Sequence, residues 1–585
     1  MKKNDYLTRG LFLLFAGMSI VSCVDSDYDL SKDIDMTAGL GTNGLALKLG
    51  NTERIYLKNV LKVEDSEMLD TLSNGMYYLI KEGSTNVNVK VNPIDDIKLN
   101  DVELFTTPII DNSDSDLSVS TGTEYSNSVS GTSDLDITID NIPDEVENIR
   151  SIVIKEGYAK MALKLNQPAG SNFRFRKLDN VEIEFPDFIH SSQFKPGTHI
   201  LVVNRTNINV SEITDITLKI DSIVFTSEGD FGKRVVDGKI DIVEPVNLTG
   251  DVTIVAASNF TLPKDSKVTV KMEASLNRMS ASSLTGLVNP TINPEVDPIE
   301  ISKDLPDFLK DNSVKLEITN PTLRFHVIGT ELPIPLLFSA QATSIKDKAT
   351  KATVELPQEG SANIPAHKDY NFYFFQADKP FTPENDKYTE DQLYKVNNLS
   401  SLVQYLPDYI DVNLSDGRVH ANQSQLHTID LGKDYNINMN YDVYIPFQFN
   451  ANTCIVYNDS VDNMNKDLKK YQAEGITVTT TAFNTIPLDL DVTLIPYDIN
   501  GKDLSQELVV DHAIAKAGDN SNTPIQSSMT IKLHPKQPSV ISRLDKLVFS
   551  VSAKSVASST LVSNQYLEMK EIRLKLDGKI IANFN

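Results

Sequence analysis

Apolar and polar residues alternate with a period of two along most of the chain, and this pattern constrains the fold more than any other sequence feature. The segment at 87–91 reads Val-Asn-Val-Lys-Val, and the segment at 572–576 reads Ile-Arg-Leu-Lys-Leu. Successive side chains of a β-strand point to opposite faces, so each segment presents one apolar and one polar face. The sequence therefore predicts antiparallel sheets with one face on a core and the other in water. The same alternation recurs at 135–139, 216–220, 268–272, 314–318 and 488–492.

Turn-forming dipeptides lie between the alternating segments, as expected for strands that are joined by hairpins. Asn74-Gly75, Asp237-Gly238 and Asp577-Gly578 tolerate positive φ at both central positions, which type I′ turns require. The last dipeptide lies within the alternating segment at 574–581 and predicts that a hairpin closes the chain. A second turn element, an apolar residue followed by Pro-Asp, recurs at 142–144, 185–187, 305–307 and 406–408.

The length and the pattern together predict an all-β, mainly antiparallel protein of several tandem β-sandwiches, immunoglobulin-like in type. The chain has 585 residues, enough for about three to five domains. A Ser-, Asp- and Thr-rich stretch at 111–134 is typical of a linker or exposed loop. Weak helical periodicity at 390–405 and 461–474 predicts short helices in the connections. We predict a signal peptide (1–22), an acidic tether (23–38), an N-terminal β domain (39–134) and three β-sandwiches (135–300, 301–450 and 451–585).

The N-terminus has the organisation of a secretion signal. Lys2, Lys3 and Arg9 form a basic start, and an apolar run at 11–21 follows. This run has the length of a signal-peptide core and is too short to span a bilayer as a lasting helix. Residues 20–23 then read Ile-Val-Ser-Cys, which is two aliphatic residues, a small residue and a cysteine.

This arrangement resembles the lipobox of bacterial lipoproteins. In that family the cysteine thiol receives a diacylglycerol, the signal peptide is cut before it, and the new amino group is acylated. The resemblance implies that Cys23 is the lipidated first residue of the mature chain. Several acyl chains anchor a protein stably, whereas one chain gives only marginal membrane binding. The alternative is an ordinary secretory signal that a cysteine happens to follow.

An acidic segment follows Cys23. Residues 24–36 read VDSDYDLSKDIDM, and Asp outnumbers Lys in them. The segment resembles the export signal that sends surface lipoproteins of the Bacteroidota to the outer leaflet of the outer membrane. The alternative is a solvated tether without a sorting role. Asp25, Asp27 and Asp29 also match the start of a calcium loop, but that loop lacks its Gly and its final Glu, so we expect no metal there.

Charge and motifs exclude several classes of function. The formal charge of −25 argues against nucleic acid as a partner, because nucleic-acid binding needs a basic surface. Cys454 lies in an apolar segment and is predicted to be a buried, inert thiol. The eight His include no i, i+4 pair, and the closest pairs are seven and nine residues apart. Neither a GxSxG elbow nor a P-loop is present. We therefore predict no enzyme activity, no catalytic residues, no cofactor and no metal site.

Two aromatic-rich segments, at 370–375 and 441–449, are candidate binding platforms. Exposed Tyr and Phe rings there could stack on sugars or on another chain. Both segments, however, alternate or run continuously in the manner of core strands, and the chain contains no Trp, which glycan platforms often use. We therefore predict that the two segments are buried strands.

Three sites match the pattern Asp-Ser/Thr-aliphatic, which resembles the general O-glycosylation motif of secreted Bacteroidota proteins. The resemblance implies that the hydroxyl residues are candidate modification sites. Exposed turns also favour Asp-Ser pairs, which is the alternative interpretation. The three candidates are Thr71, Ser222 and Ser460.

Three functions fit these features. The favoured prediction is a lipid-anchored protein of the outer membrane, exposed at the cell surface, with a non-catalytic binding, adhesive or structural role. Its partners are then the membrane, through the lipid, and a protein or glycan ligand. The first alternative is a glycan-binding accessory lipoprotein of a polysaccharide-uptake system. The second is a surface hydrolase, which needs two carboxylates about 5–10 Å apart.

Overall fold

Strands make up almost all of the regular structure, as the alternation predicts. A computed structural model of the chain describes residues 45–582, apart from 226–228, 277–278, 293–295, 306–308, 415–416, 469–470, 473, 520–522 and 579–580. Cys23 and the acidic tether lie outside these residues. Among the described strands one pair is parallel and the others are antiparallel, so the prediction of an all-β, mainly antiparallel fold is confirmed.

Strands from the described chain up to residue 140 pair with strands from several later parts of the chain. In chain order its elements are β1 Leu45–Gly50, β2 Ile55–Tyr56, the helical turn α1 Leu57–Val60, the 3₁₀ turn Val63–Asp65, β3 Leu69–Thr71, β4 Tyr77–Lys90, β5 Asp96–Leu99, β6 Val102–Phe105, β7 Ile110–Asn112, β8 Leu117–Val119 and β9 Glu124–Asp140.

The next part of the chain contains long strands joined by short turns. Its elements are β10 Val146–Glu156, β11 Tyr158–Asn166, β12 Phe173–Glu184, β13 Ile189–His190, β14 Ile200–Val210, β15 Glu212–Lys219, β16 Ser222–Val224, β17 Lys233–Arg234, β18 Ile240–Ala256, β19 Phe260–Leu262, β20 Ser266–Leu276, β21 Ser280–Val288, β22 Thr291–Ile292, β23 Ile299–Glu300 and the 3₁₀ turn Ser302–Asp304.

A middle part runs from residue 322 to residue 449 and holds the aromatic-rich strands. Its elements are β24 Thr322–Ile328, β25 Leu336–Phe338, β26 Ala340–Lys346, β27 Ala349–Leu356, β28 Ala362–Ile364, β29 Tyr370–Phe375, the 3₁₀ turn Glu390–Gln392, β30 Leu393–Lys395, the 3₁₀ turn Leu399–Leu402, β31 Tyr409–Asn413, β32 Val419–Ala421, β33 His427–Asp430, β34 Tyr435–Pro446 and β35 Gln448–Phe449.

The remaining elements form the C-terminal part. They are β36 Cys454–Val461, the helical turn α2 Asn465–Leu468, β37 Tyr471–Gln472, β38 Gly475–Asn484, β39 Asp489–Asp498, β40 Leu508–Val510, β41 Ala513–Ala515, β42 Ile525–Pro535, the 3₁₀ turn Pro538–Arg543, β43 Leu544–Lys554, β44 Ser559–Thr560, β45 Tyr566–Asp577 and β46 Ile581–Ala582.

Two large sheets dominate the N-terminal half, with strand orders β14-β12-β18-β9-β5 and β15-β11-β20-β6. Alternate residues of their strands are buried, as the period-two pattern requires, for example Ile137 and Ile139 of β9 and Met161 and Leu163 of β11. A third sheet has the strand order β13-β16-β10-β21-β33, and β17 also pairs with β10.

The middle part is a sandwich with an aromatic core. The sheet β22-β4-β34-β24-β29-β30 packs against the smaller sheet β28-β25-β32. The ring of Phe325 on β24 lies 5.1 Å from Phe372 on β29 and 5.5 Å from Phe338 on β25, measured between centroids. Rings at such separations stabilise a core beyond their buried area.

The C-terminal part is formed by the sheets β1-β45-β38-β42-β40 and β36-β43-β39-β41. Its first sheet includes β1, the first described strand, which pairs with β45 from Leu45↔Leu576 to Gly50↔Ile572. The first described strand therefore lies in one sheet with β45, which is close to the C-terminus.

Strand pairing crosses the predicted unit boundaries. Strands from 39–134 pair with β45 through β1, with β34 through β4 and with β18 through β9. The stretch at 111–134, predicted to be a linker or exposed loop, instead contributes to β9, whose register with β18 runs from Glu124↔Val255 to Ile139↔Ile240. Small polar side chains do not prevent this pairing, because hydroxyls of β9 bond across the strands, as Ser128 does to Asp251 at 2.5 Å.

Two hairpins form at the predicted turns. Gly75 lies between the paired strands β3 and β4 at φ +85°, but φ of Asn74 is not positive, so a hairpin forms there without the predicted type I′ turn. Asp237 and Gly238 both have positive φ, as a type I′ turn requires.

The predicted closing hairpin at Asp577-Gly578 is wrong. Both edges of β45 are already occupied, by β1 and β38, and β46 pairs instead with β37. The predicted helices are also wrong in extent. Within the described residues, the helical part of 461–474 is the turn α2. The segment at 390–405 holds two 3₁₀ turns and β30, because β30 pairs with β29.

Candidate functional site

A polar cavity of about 490 Å³ opens where strands of three sheets end. Asn92 follows β4, Asn289 follows β21, and the segment 141–145 connects β9 to β10. This volume is within the range of small-molecule pockets. The lining residues are Asn92, Asn141, Ile142, Pro143, Asp144, Glu145 and Asn289.

Backbone hydrogen bonds fix the connection that supplies most of the lining. The Ile142 N–H donates to the Gly238 carbonyl at 2.9 Å, and the Val146 N–H donates to the Pro143 carbonyl at 2.9 Å. Asn141 has φ +56°, a left-handed conformation that Asn tolerates better than most residues. The Asn289 N–H donates to the Glu145 carbonyl at 2.7 Å and joins this connection to the end of β21. The cavity wall is therefore set before any ligand enters.

The side chains of the cavity offer both donors and acceptors. Within the described residues, Asn92 and Asp144 make no side-chain hydrogen bond. Asn289 accepts a hydrogen bond from the Ala421 N–H at 3.3 Å through its Oδ1. Two carboxylates, Asp144 and Glu145, make the cavity negative. Such a lining suits hydroxyl or ammonium groups and disfavours anions.

A second polar cluster surrounds Arg324 in the middle sandwich. Its Nε donates to Asp442 Oδ2 at 2.7 Å and its Nη1 to Asp386 Oδ2 at 3.0 Å. The Tyr373 hydroxyl donates to the same Asp386 oxygen at 2.9 Å. Burial lowers the pKa of Arg324, but its hydrogen bonds to Asp442 and Asp386 and the charge of Asp442 outweigh burial, so the pKa is raised. Burial raises the pKa of Tyr373 and Tyr444.

This cluster attaches a loop to the sheet. Asp386 belongs to the connection between β29 and the 3₁₀ turn at 390–392, whereas Arg324 and Asp442 lie on neighbouring strands. The same connection packs Phe381 against Tyr78, at 5.7 Å between ring centroids. Because the cluster's charges are partnered within the chain, it stabilises the fold rather than offering groups to a ligand.

The aromatic segments at 370–375 and 441–449 contribute side chains to this cluster and to the core. Tyr373 and Phe372 are fully buried, and Tyr444 is 3% exposed. The prediction that the two segments are buried strands is confirmed, and they form no exposed platform.

Two imidazoles meet at the edge of the third sheet. The ring centroids of His190 and His199 are 5.3 Å apart, with an angle of 76° between the ring planes. Burial lowers the pKa of His190, the neighbouring His199 lowers it further, and Asp187 raises it by less. Within the described residues no group of three or more His, Cys, Asp or Glu side chains has the arrangement of a metal site.

The structure does not bring the predicted modification sites together. Thr71 ends β3, Ser222 begins β16 and Ser460 lies in β36, and each is half-buried. Cys23 lies outside the described residues, and all four assignments remain predictions. Cys454 is half-buried rather than buried, with its Sγ 3.4 Å from Ser552 Oγ.

The cavity residues were not predicted as a site. The only sequence signal is the recurring apolar-Pro-Asp element, and the copy at 142–144 is the one that lines the cavity. Asn92 and Asn289 come from distant parts of the chain, so no local pattern connects them to it.

Comparisons with known proteins assign no family. No protein-family model matches the chain, and no curated protein matches it. A solved structure of a Parabacteroides distasonis protein inferred to be secreted is 12% identical, covers 51% of this chain and 90% of its own, and has a TM-score of 0.35. The triple jelly roll protein of an archaeal virus turret is 10% identical, covers 78% of this chain and 91% of its own, and has a TM-score of 0.10. At these TM-scores neither likeness bears on the fold or the function.

The part of the chain that the structure describes contains short helical turns. None of the helices there has the length and the apolar character that crossing a bilayer requires.

Proposed function

We propose that this chain is a lipid-anchored cell-surface protein that captures a polyhydroxyl ligand, such as the end of a glycan, in the polar cavity without chemical change. The observation that carries the proposal is a cavity with a hydrogen-bonded backbone wall, lined by amides and carboxylates, in which the exposed side chains of Asn92 and Asp144 face solvent.

The chemistry of the lining supports a sugar-like ligand. A carboxylate accepts hydrogen bonds from two neighbouring hydroxyls, and an amide both donates and accepts. A hydrogen bond to a charged group contributes about 1.5–3 kcal/mol to binding. The half-buried Pro143 provides an apolar surface for the C–H side of a sugar ring. The negative charge of Asp144 and Glu145 favours neutral or amino sugars over acidic ones.

The N-terminal motif supports the location at the cell surface. If Cys23 carries the lipid, the segment 24–44 lies between it and β1, the first described strand. Fully extended, it reaches roughly 70 Å from the membrane. A tether of this length lets the cavity meet ligands outside the headgroup layer.

Ligand capture is tested with the full-length chain, purified in detergent and applied to an array of neutral, amino and acidic glycans. We expect binding to neutral or amino sugars, and Asp144→Asn should weaken it at least about tenfold, because a charged acceptor is replaced by an amide. The matched control is Asp187→Asn, an exposed Asp in another apolar-Pro-Asp element, which should bind as the unchanged chain does. Binding to no glycan, or equal binding by Asp144→Asn, contradicts the proposal. Shortened glycan products would show that the protein is a hydrolase.

Anchoring is tested separately with Cys23→Ala. We expect this variant to lose acylation and to leave the membrane fraction, because the thiol is the site of thioether formation. Cys454→Ala is the control and should stay in the membrane fraction. Membrane retention of Cys23→Ala contradicts the anchor and leaves the glycan test unaffected.

A further inference from the structure

The two contacting imidazoles, His190 and His199, form a preorganised pair. His190 ends β13, and His199 directly precedes β14, so the short loop between these strands brings the His199 ring next to the His190 ring. The His190 carbonyl accepts a hydrogen bond from the Asp221 N–H at 2.9 Å, and the His199 carbonyl accepts one from the Phe185 N–H at 2.9 Å. Both backbones are therefore held by neighbouring strands, and the rings need no rearrangement to meet.

The ring nitrogens of the pair are available as ligands. His199 Nδ1 lies 3.0 Å from the Ile189 carbonyl oxygen, so the neutral ring donates from Nδ1 and leaves the Nε2 lone pair free. A carbonyl that orients an imidazole in this way is the usual second partner of a metal-binding His. Within the described residues, neither nitrogen of His190 has a hydrogen-bond partner. Both rings are half-buried, so solvent and ions reach them.

The separation of the rings fits a shared ion. Zinc lies about 2.0–2.1 Å from an imidazole nitrogen, and two imidazoles on one tetrahedral ion have centroids about 5 Å apart. The observed separation of the His190 and His199 centroids is 5.3 Å. Asp187 acts electrostatically on His190, and its negative charge favours a cation near the pair.

We propose that His190 and His199 bind a divalent transition-metal ion of the zinc class, with water or a partner's side chain filling the remaining positions. Two imidazoles favour Zn²⁺, Ni²⁺ or Cu²⁺ over Ca²⁺ and Mg²⁺, which prefer oxygen ligands. Because only two protein nitrogens contribute, the site is open and binds more weakly than a four-ligand structural zinc site.

The test uses the full-length chain in detergent, purified without a histidine tag and freed of metal by a chelator. Calorimetric titration with ZnCl₂ at pH 7.5 should give one ion per chain, and CuCl₂ should bind more tightly, following the usual order of divalent metals. His190→Gln and His199→Gln should each weaken Zn²⁺ binding about tenfold or more. The matched control is His420→Gln, because the His420 Nδ1 also lies near a carbonyl, that of Gly417 at 2.9 Å, without a second imidazole.

Three outcomes decide the proposal. Absence of stoichiometric Zn²⁺ binding to the unchanged chain overturns it whether or not the variants fold. Equal binding by the unchanged chain and by His190→Gln, with unaltered circular dichroism, also overturns it. Loss of Zn²⁺ binding in both variants but not in His420→Gln, with Ca²⁺ bound by none of them, supports it.

Discussion

The cavity at 141–145 and the cluster around Arg324 are both polar, yet they differ in how their groups are partnered. In the cluster, Arg324 bonds to two carboxylates and Tyr373 bonds to one of them. In the cavity, Asn92 and Asp144 have no side-chain partner within the described residues. A polar group that is satisfied inside the chain contributes to stability, whereas one left free on a fixed wall can contribute to binding. The comparison therefore contrasts a cluster whose groups are partnered within the chain with a cavity whose exposed groups face solvent.

The strongest test of this contrast is Arg324→Met. The substitution leaves Asp386 and Asp442 without their cation at side-chain exposures of 16% and 10%, so we expect a loss of about 3 kcal/mol in the free energy of unfolding. Glycan binding by the folded protein should not change. The control is Arg418→Met, whose partner Glu355 is 46% exposed and whose loss should cost about 0–1 kcal/mol. Equal losses in the free energy of unfolding, measured with urea, would contradict the expected difference between the ion pairs of Arg324 and Arg418.

Two Tyr→Phe variants test the same contrast between partnered and unpartnered groups, because each removes a single hydroxyl oxygen. Tyr373→Phe removes the hydroxyl that bonds to Asp386 and should destabilise by about 1 kcal/mol. Tyr77 is fully buried, and its hydroxyl has no partner within the described residues. Tyr77→Phe should therefore leave stability unchanged or raise it by about 1 kcal/mol. Destabilisation of both variants by the same amount would show that the Tyr77 hydroxyl has a partner.

Acid unfolding tests a paired carboxylate at the surface. Arg543 and Lys502 lower the pKa of Glu507 to about 2. Because the folded pKa lies below the unfolded one, this pairing stabilises the fold above about pH 4.5 and is lost as the pH falls toward 2. Glu507→Gln should reduce the slope of stability against pH in that window and leave it unaltered above pH 6. If Glu507→Gln leaves the slope of stability against pH unchanged in that window, the pairing of Glu507 with Arg543 and Lys502 is contradicted.

The smallest effect is expected from Asp144→Asn. Its carboxylate has no partner to lose, so the free energy of unfolding should change by less than about 0.5 kcal/mol. Thermal and urea unfolding check this value, and a loss near that of Arg324→Met would mean that the cavity wall depends on Asp144.

Local patterns predicted much of the fold but little of the site. Alternation located the strands, and Asn74-Gly75 and Asp237-Gly238 located their turns, because both depend on neighbouring residues. Pairing between distant strands was not predictable from local patterns. The predicted closing hairpin at Asp577-Gly578 is wrong because β1 and β38 pair with the two edges of β45. The cavity was missed for the same reason, since Asn92, Asp144 and Asn289 are separated widely along the chain. The contact of His190 with His199 also depends on the conformation of the loop between them, which the period-two pattern does not predict.

The pairing of β1 with β45 has a consequence for how the protein is made. The Glu571 N–H donates to the Asn51 side chain across 520 positions of sequence, and the two strands share a ladder. A chain that is exported from its N-terminus presents β1 first and β45 almost last. The C-terminal sheet can close only after nearly the whole polypeptide has emerged, and loop closure over such a distance is slow. Until then β1 lacks the strand that covers its edge, and its unpaired backbone groups are open to pairing with other chains.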